Sequence, residues 1–149
     1  MKIGKALVEK GLLSPEELQL TLDEQDKTKE RLGDIAVKNG FVRPEKMAPF
    51  LAQYFNLPYL NLRGEYKNIK PEIIKVVSEE IACRFSVLPF HIQDSVLTLV
   101  MHDPLDVFAE DTIRMKTGLK IRRVVASRED ILEAIDYCYH QLPRLKEHI

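Results

Sequence analysis

The chain has 149 residues, 45% hydrophobic and 30% charged, and its 22 basic and 23 acidic side chains give a net charge of −1. That is enough apolar material for a core, while the even charge balance argues against DNA or RNA as a partner, since general nucleic-acid binders carry a basic excess. The lysine-interrupted N-terminus is no signal peptide, and no apolar run is long enough to cross a bilayer, so a cytoplasmic protein without direct membrane insertion is expected.

The chain opens on a repeat. Residues 2–25, KIGKALVEKGLLSPEELQLTLDEQ, align without a gap on residues 31–54, RLGDIAVKNGFVRPEKMAPFLAQY, with DKTKE between them. Gly4 falls on Gly33, Gly11 on Gly40, Pro15 on Pro44 and Leu22 on Leu51; Lys2 matches Arg31, Ile3 matches Leu32, and Leu18 matches Met47. Each copy reads as two helices. The first is short, with Ile3, Ala6 and Leu7, or Leu32, Ile35 and Ala36, on one apolar stripe, and Gly11 or Gly40 stops it. In the first copy Ser14-Pro15-Glu16-Glu17 is a capping box with proline at the first helical position, and Leu18, Leu22 and Gln25 follow on one face. In the second copy Arg43 is a poor cap, and Pro49 leaves two options: a kinked helix from Pro44, or one starting near Met47.

Gly4 and Gly33 sit in first turns, where glycine costs about 1 kcal/mol against alanine. Such a glycine leaves bare backbone, so a flat group can approach exposed N–H donors. A cation and a branched aliphatic side chain stand beside it. Arginine can stack on a purine and fork two donors to guanine, and leucine offers the same ring an apolar platform. Each copy thus holds what one purine and one phosphate need. The plain alternative is that the glycines only let helices pack closely and that Leu18, Leu22, Leu32 and Leu51 are core residues.

Beyond Leu60 the pattern changes. KPEIIKVVSEEIACRF reads as short helices starting at Pro71 and Ser78. VLPFHIQ and SVLTLVM are strands joined by a tight turn at Asp94. DPLDVFAEDTIRMKTG is a helix capped by Asp103 with Pro104 at its first position and Gly118 at its end. KIRRVVA is a third strand, and SREDILEAIDYCYH is a closing helix capped by Ser127. This gives an α+β fold: an N-terminal four-helix module of two helical repeats over 1–60, a small three-stranded sheet with helices over 61–142, and a tail or linker over 143–149. Cys83 and Cys138, far apart in apolar helical patterns, are expected to be buried free thiols. Asp103, at a strand end, could also accept hydrogen bonds from a guanine edge. No catalytic set, metal site or Walker A loop is expected, so the chain reads as no enzyme.

Both copies resemble the motif RLGxxLxxxGxxxxxxLxxxLxxQ of the MshEN domain, the N-terminal module of many type II secretion and type IV pilus assembly ATPases. FNLPYLNL and the stretch from LPF to ILEAI are similar to the rest of that domain. The resemblance implies a cytoplasmic regulatory module that binds cyclic di-GMP, a ligand rather than a cofactor, through two tandem motifs. The implied site is Lys2, Ile3, Gly4, Leu18, Leu22, Gln25, Arg31, Leu32, Gly33, Met47, Leu51 and Asp103. Implied partners are secretion or pilus assembly proteins, including an ATPase or a membrane-anchored platform component that would hold the module at the inner membrane. Lys2, Ala36, Met47 and Tyr54 depart from the motif. The alternative is a nucleotide-free adaptor docking such a component.

Overall fold

The computed structural model describes residues 2–147 and divides into two compact units, one running to Phe50 and the other from Leu51 onward.

In the first unit α1 (Ile3–Glu9), α2 (Pro15–Thr28), α3 (Leu32–Lys38) and the beginning of α4 (Pro44–Tyr54) realise the repeat. The exits of α1 and α3 share one hydrogen-bond pattern: Gly11 N–H donates to Val8 O and Leu12 N–H to Leu7 O, just as Gly40 N–H donates to Val37 O and Phe41 N–H to Ala36 O. Gly11 and Gly40 hold the positive φ, 74° and 78°, that this exit demands. Ser14 and Glu17 form the reciprocal capping box, with bonds of 2.9 and 3.1 Å. The second copy lacks that box, yet α4 begins at Pro44, so of the two options the later start near Met47 is set aside. Proline at the first helical position needs no N–H, and the carbonyl that Pro49 leaves without a donor belongs to Glu45, an exposed residue that water can satisfy. Leu7, Leu32, Ile35, Ala36 and Met47 are buried; burying a side chain such as Ile35 contributes about 1.5–3 kcal/mol.

The second unit is built on a sheet of order β1-β2-β3, with β1 (Val87–Gln93) antiparallel to β2 (Val96–Met101) and β2 parallel to β3 (Lys120–Val125). Asp94 and Ser95 both take positive φ, 53° and 65°, the backbone of a two-residue turn whose twist matches the strands. Pro89 sits in edge strand β1, where a missing ladder donor is tolerated, next to a bulge between Pro89 and His91. Leu60 N–H donates to Val125 O and Val125 N–H to Pro58 O, so the chain leaving α4 adds a short rung to β3. Leu99, Val100 and Met101 are consecutively buried, so both faces of the sheet are covered at that end. A 3-10 turn at Glu65–Asn68, unread in the sequence, precedes α5 (Pro71–Ile74) and α6 (Glu79–Phe85). The last helix, α8 (Arg128–Glu147), packs on α5, α6, the 3-10 turn, β1 and β2. It continues to Glu147, past the end expected at His140, and residues 148 and 149 of the expected tail lie outside the described residues. Tyr139 on α8 donates its hydroxyl proton to Val77 O at 2.8 Å.

Two corrections concern single side chains. The helix expected from Asp103 is α7 (Val107–Thr117), and its cap is Asp106, whose carboxylate accepts from Ala109 N–H at 3.0 Å. Asp103 instead accepts from Leu105 N–H at 3.0 Å, and this local turn ends the strand connection before the helix can start. Of the two cysteines, Cys138 is buried as expected, but Cys83 is exposed on α6. Burial pushes the Cys138 thiol up to about 11, and its proton points to Tyr66 O at 3.6 Å. The reagent DTNB should therefore titrate Cys83 in the native chain, at a rate held down because partial burial and Glu79 raise its thiol pKa, and Cys138 only after denaturation; native reaction of both would contradict this packing.

Candidate functional site

Lys2 and Arg31 are the residues from which α1 and α3 start. Their backbones match, at φ −69°, ψ 148° and φ −67°, ψ 140°, and neither helix start has a side-chain cap. The usual capping residues are serine, threonine, aspartate and asparagine, which satisfy the first N–H groups; a basic residue cannot accept those bonds. The chain thus repeats the same departure from helix-start chemistry twice, once per copy, and both cations are exposed.

The glycines do something the sequence left open. A methyl group at Gly4 would lie 2.7 Å from Leu18 Cδ1 and 3.6 Å from Leu32 Cδ1; at Gly33 it would lie 3.5 Å from Met47 Sδ. Leu18 and Met47 are the matched positions of α2 and α4. Each glycine therefore faces its own partner helix, but only at Gly4 does the missing side chain serve close packing; at Gly33 a methyl group would make ordinary contact with Met47. Gly4 also brings the copies together, because Leu32, the aliphatic residue of the second head, packs on it.

The remaining positions distribute unevenly. Leu32 and Met47 are buried, whereas Ile3 and Leu18 are half-buried. Leu22, the matched residue one turn beyond Leu18, is 37% exposed and leaves apolar surface open on α2. Gln25 donates from Nε2 to the carbonyl of Glu30 at 3.1 Å, tying the last turn of α2 to the residue before Arg31. Gly4, Leu18 and Leu32 thus meet at one point, and Gln25 fixes the chain at the second helix start. Leu51, half-buried, and Asp103 belong to the second unit.

The sequence reading missed a polar tie between α2 and α3. Glu24 accepts from Asn39 Nδ2 at 3.1 Å and pairs with Lys38 Nζ at 3.3 Å, and Lys38 also reaches Glu30 at 3.3 Å. The hydrogen bonds from Asn39 and Lys38 hold the Glu24 carboxyl below its ordinary range, and those to Glu24 and Glu30 raise Lys38. No periodic signal marks such a pair, because its members come from different helices.

Comparison with known proteins bears on the whole chain. The family model of the MshEN domain matches residues 55–145, which lie beyond the repeat. The type IV pilus assembly ATPase PilB of Myxococcus xanthus is 35% identical over 93% of the chain, and PilB of Thermus thermophilus is 30% identical over 95%. The chain spans only 24% and 16% of those two relatives. A solved structure of MshE with cdg superimposes with a TM-score of 0.78 at 27% identity, covering 93% of this chain and 99% of the other.

The two glycines should respond differently to alanine. Gly33→Ala has ordinary room and should stabilise the chain by up to about 1 kcal/mol through helix propensity. Gly4→Ala should gain less or destabilise, since Leu18 must move. Urea unfolding of both variants checks this; a larger stabilisation from Gly4→Ala would contradict the packing.

Proposed function

Because the chain belongs to the MshEN domain family, we propose that it is a regulatory module of a type IV pilus or type II secretion ATPase, without catalysis of its own, and that it binds cyclic di-GMP. The observation that carries this reading is the pair of equivalent, uncapped helix starts, each led by an exposed cation. Cyclic di-GMP is itself two matching halves, each with a guanine and a phosphate. Lys2 and Arg31 supply the charge, the first N–H groups of α1 and α3 are donors for phosphate oxygens, and Ile3, Leu18 and Leu22 supply apolar surface. The overlap with MshE, solved with cdg, supports the same assignment.

The halves are unequal. Arg31 can stack on a guanine and donate two parallel hydrogen bonds, whereas Lys2 is a point charge without a planar face. The second helix start therefore dominates affinity. Binding bridges the two helix pairs and favours the arrangement in which both starts face the ligand, by no more than the difference in affinity between arrangements. The α+β unit presents that state to a secretion or pilus assembly partner, which would hold the module at the cytoplasmic side of the inner membrane.

Isothermal titration with cyclic di-GMP tests this. Arg31→Ala should weaken binding about 10- to 100-fold, the worth of a stacked bidentate guanine contact. Lys2→Ala should cost only a few-fold, in line with a single exposed charge, and Lys2→Arg should tighten binding. Equal losses from the two alanine variants would refute the stacking role of Arg31. No heat at high micromolar ligand would leave the nucleotide-free adaptor.

A further inference from the structure

The second unit carries a surface that nucleotide binding does not use. On α7, Phe108 is 65% and Met115 85% exposed, and seven residues of separation put them on one helix face. Side chains that large and apolar, left in water on one face, mark an interaction site. Phe108 also meets the neighbouring helix: its ring lies 5.9 Å from that of Phe85 on α6, and the Arg84 guanidinium stands 5.2 Å from the Phe85 ring and 6.0 Å from Phe108.

Toward the start of α6 and the end of α7 lies a recess of about 230 Å³, lined by Val76 and Ser78 of the α5–α6 connection and by Ile81 of α6, over the buried Ile113 of α7. Its ionisable lining residues are Lys75 and Lys116. Among the described residues neither ammonium group has an ion pair. Several acidic side chains of α6 and α7 are turned to other partners: Glu79 to His140, and Glu110 and Asp111 to Arg114. Glu80 does not line the recess.

The geometry points to a docking site along α7, the α5–α6 connection and α6 for a short acidic, apolar peptide segment of a partner protein. Carboxylates of the segment enter or flank the recess and pair with Lys75 and Lys116, and its apolar residues cover Phe108 and Met115. A concave recess of this size fits one or two side chains, whereas an anionic membrane would engage a broad, convex, strongly basic face. The site stands apart from the nucleotide reading and does not depend on it.

Fluorescence polarisation tests it with three labelled peptides of equal length: one alternating glutamate with leucine and phenylalanine, one with lysine in place of glutamate, and one with serine in place of the apolar residues. The acidic, apolar peptide should bind the full chain most tightly. Lys75→Glu with Lys116→Glu, and separately Phe108→Ala with Met115→Ala, should each weaken it at least about tenfold. These residues are at the surface, and unchanged circular dichroism confirms the fold. Equal binding of the lysine peptide, indifference to either double variant, or no binding of any peptide would overturn the proposal. So would sedimentation with phosphatidylglycerol vesicles that the lysine reversals abolish, or a concentration-dependent dimer that Phe108→Ala breaks; these would assign the surface to lipid or to a second copy.

Discussion

The first helical pair depends on a close approach between a first-turn glycine and one flexible apolar side chain of the following helix. Gly4 faces Leu18, and Gly33 faces Met47. No larger residue at position 4 leaves Leu18 where it is, so the glycine sets how near α1 lies to α2. A helix start, and the basic residue that leads it, stands at the same point in both copies. Leu32 reaches back to Gly4, so packing of the second head is continuous with that of the first. The chemistry proposed for the site is exposed at its rim, on Lys2, Arg31 and Leu22, above the buried Leu32 and Met47.

That division explains what could be read from the sequence. The repeat, the capping box at Ser14, the glycine exits, the hairpin at Asp94 and the starts at Pro71 and Ser78 were legible because each rests on local backbone chemistry. The misreadings share a different origin. Asp103 and Asp106 are both plausible caps, and only the turn that Asp103 makes with Leu105 decides between them. Cys83 sits among apolar neighbours in sequence, yet the face α6 buries is set by α8 and β1, which arrive from far along the chain. For the glycines, the pattern admitted both open backbone and close packing; the short approach to Leu18 shows a packing role at Gly4, whereas Gly33 has ordinary room beside Met47. The tie from Glu24 to Lys38 and Asn39 left no trace, since pairing across helices has no period.

The two units carry different signatures. The family match falls on residues 55–145, whereas the doubled head and tail lie in residues 2–54. The α+β unit has a continuous core from Leu62 to Cys138, with helices laid over both ends of its sheet order. The helical unit is smaller, with its own buried residues such as Leu7, Ile35 and Met47 and the polar tie from Glu24 to Lys38 and Asn39.

The most direct measurement is a titration of the isotopically labelled chain with cyclic di-GMP, followed by amide resonances. Shifts should appear together at Ile3, Gly4 and Lys5 and at Leu32, Gly33 and Asp34, and saturate at a single ligand per chain. Shifts confined to one of these helix starts, or appearing only among residues 58–126, would contradict the claim that the two starts act as one site.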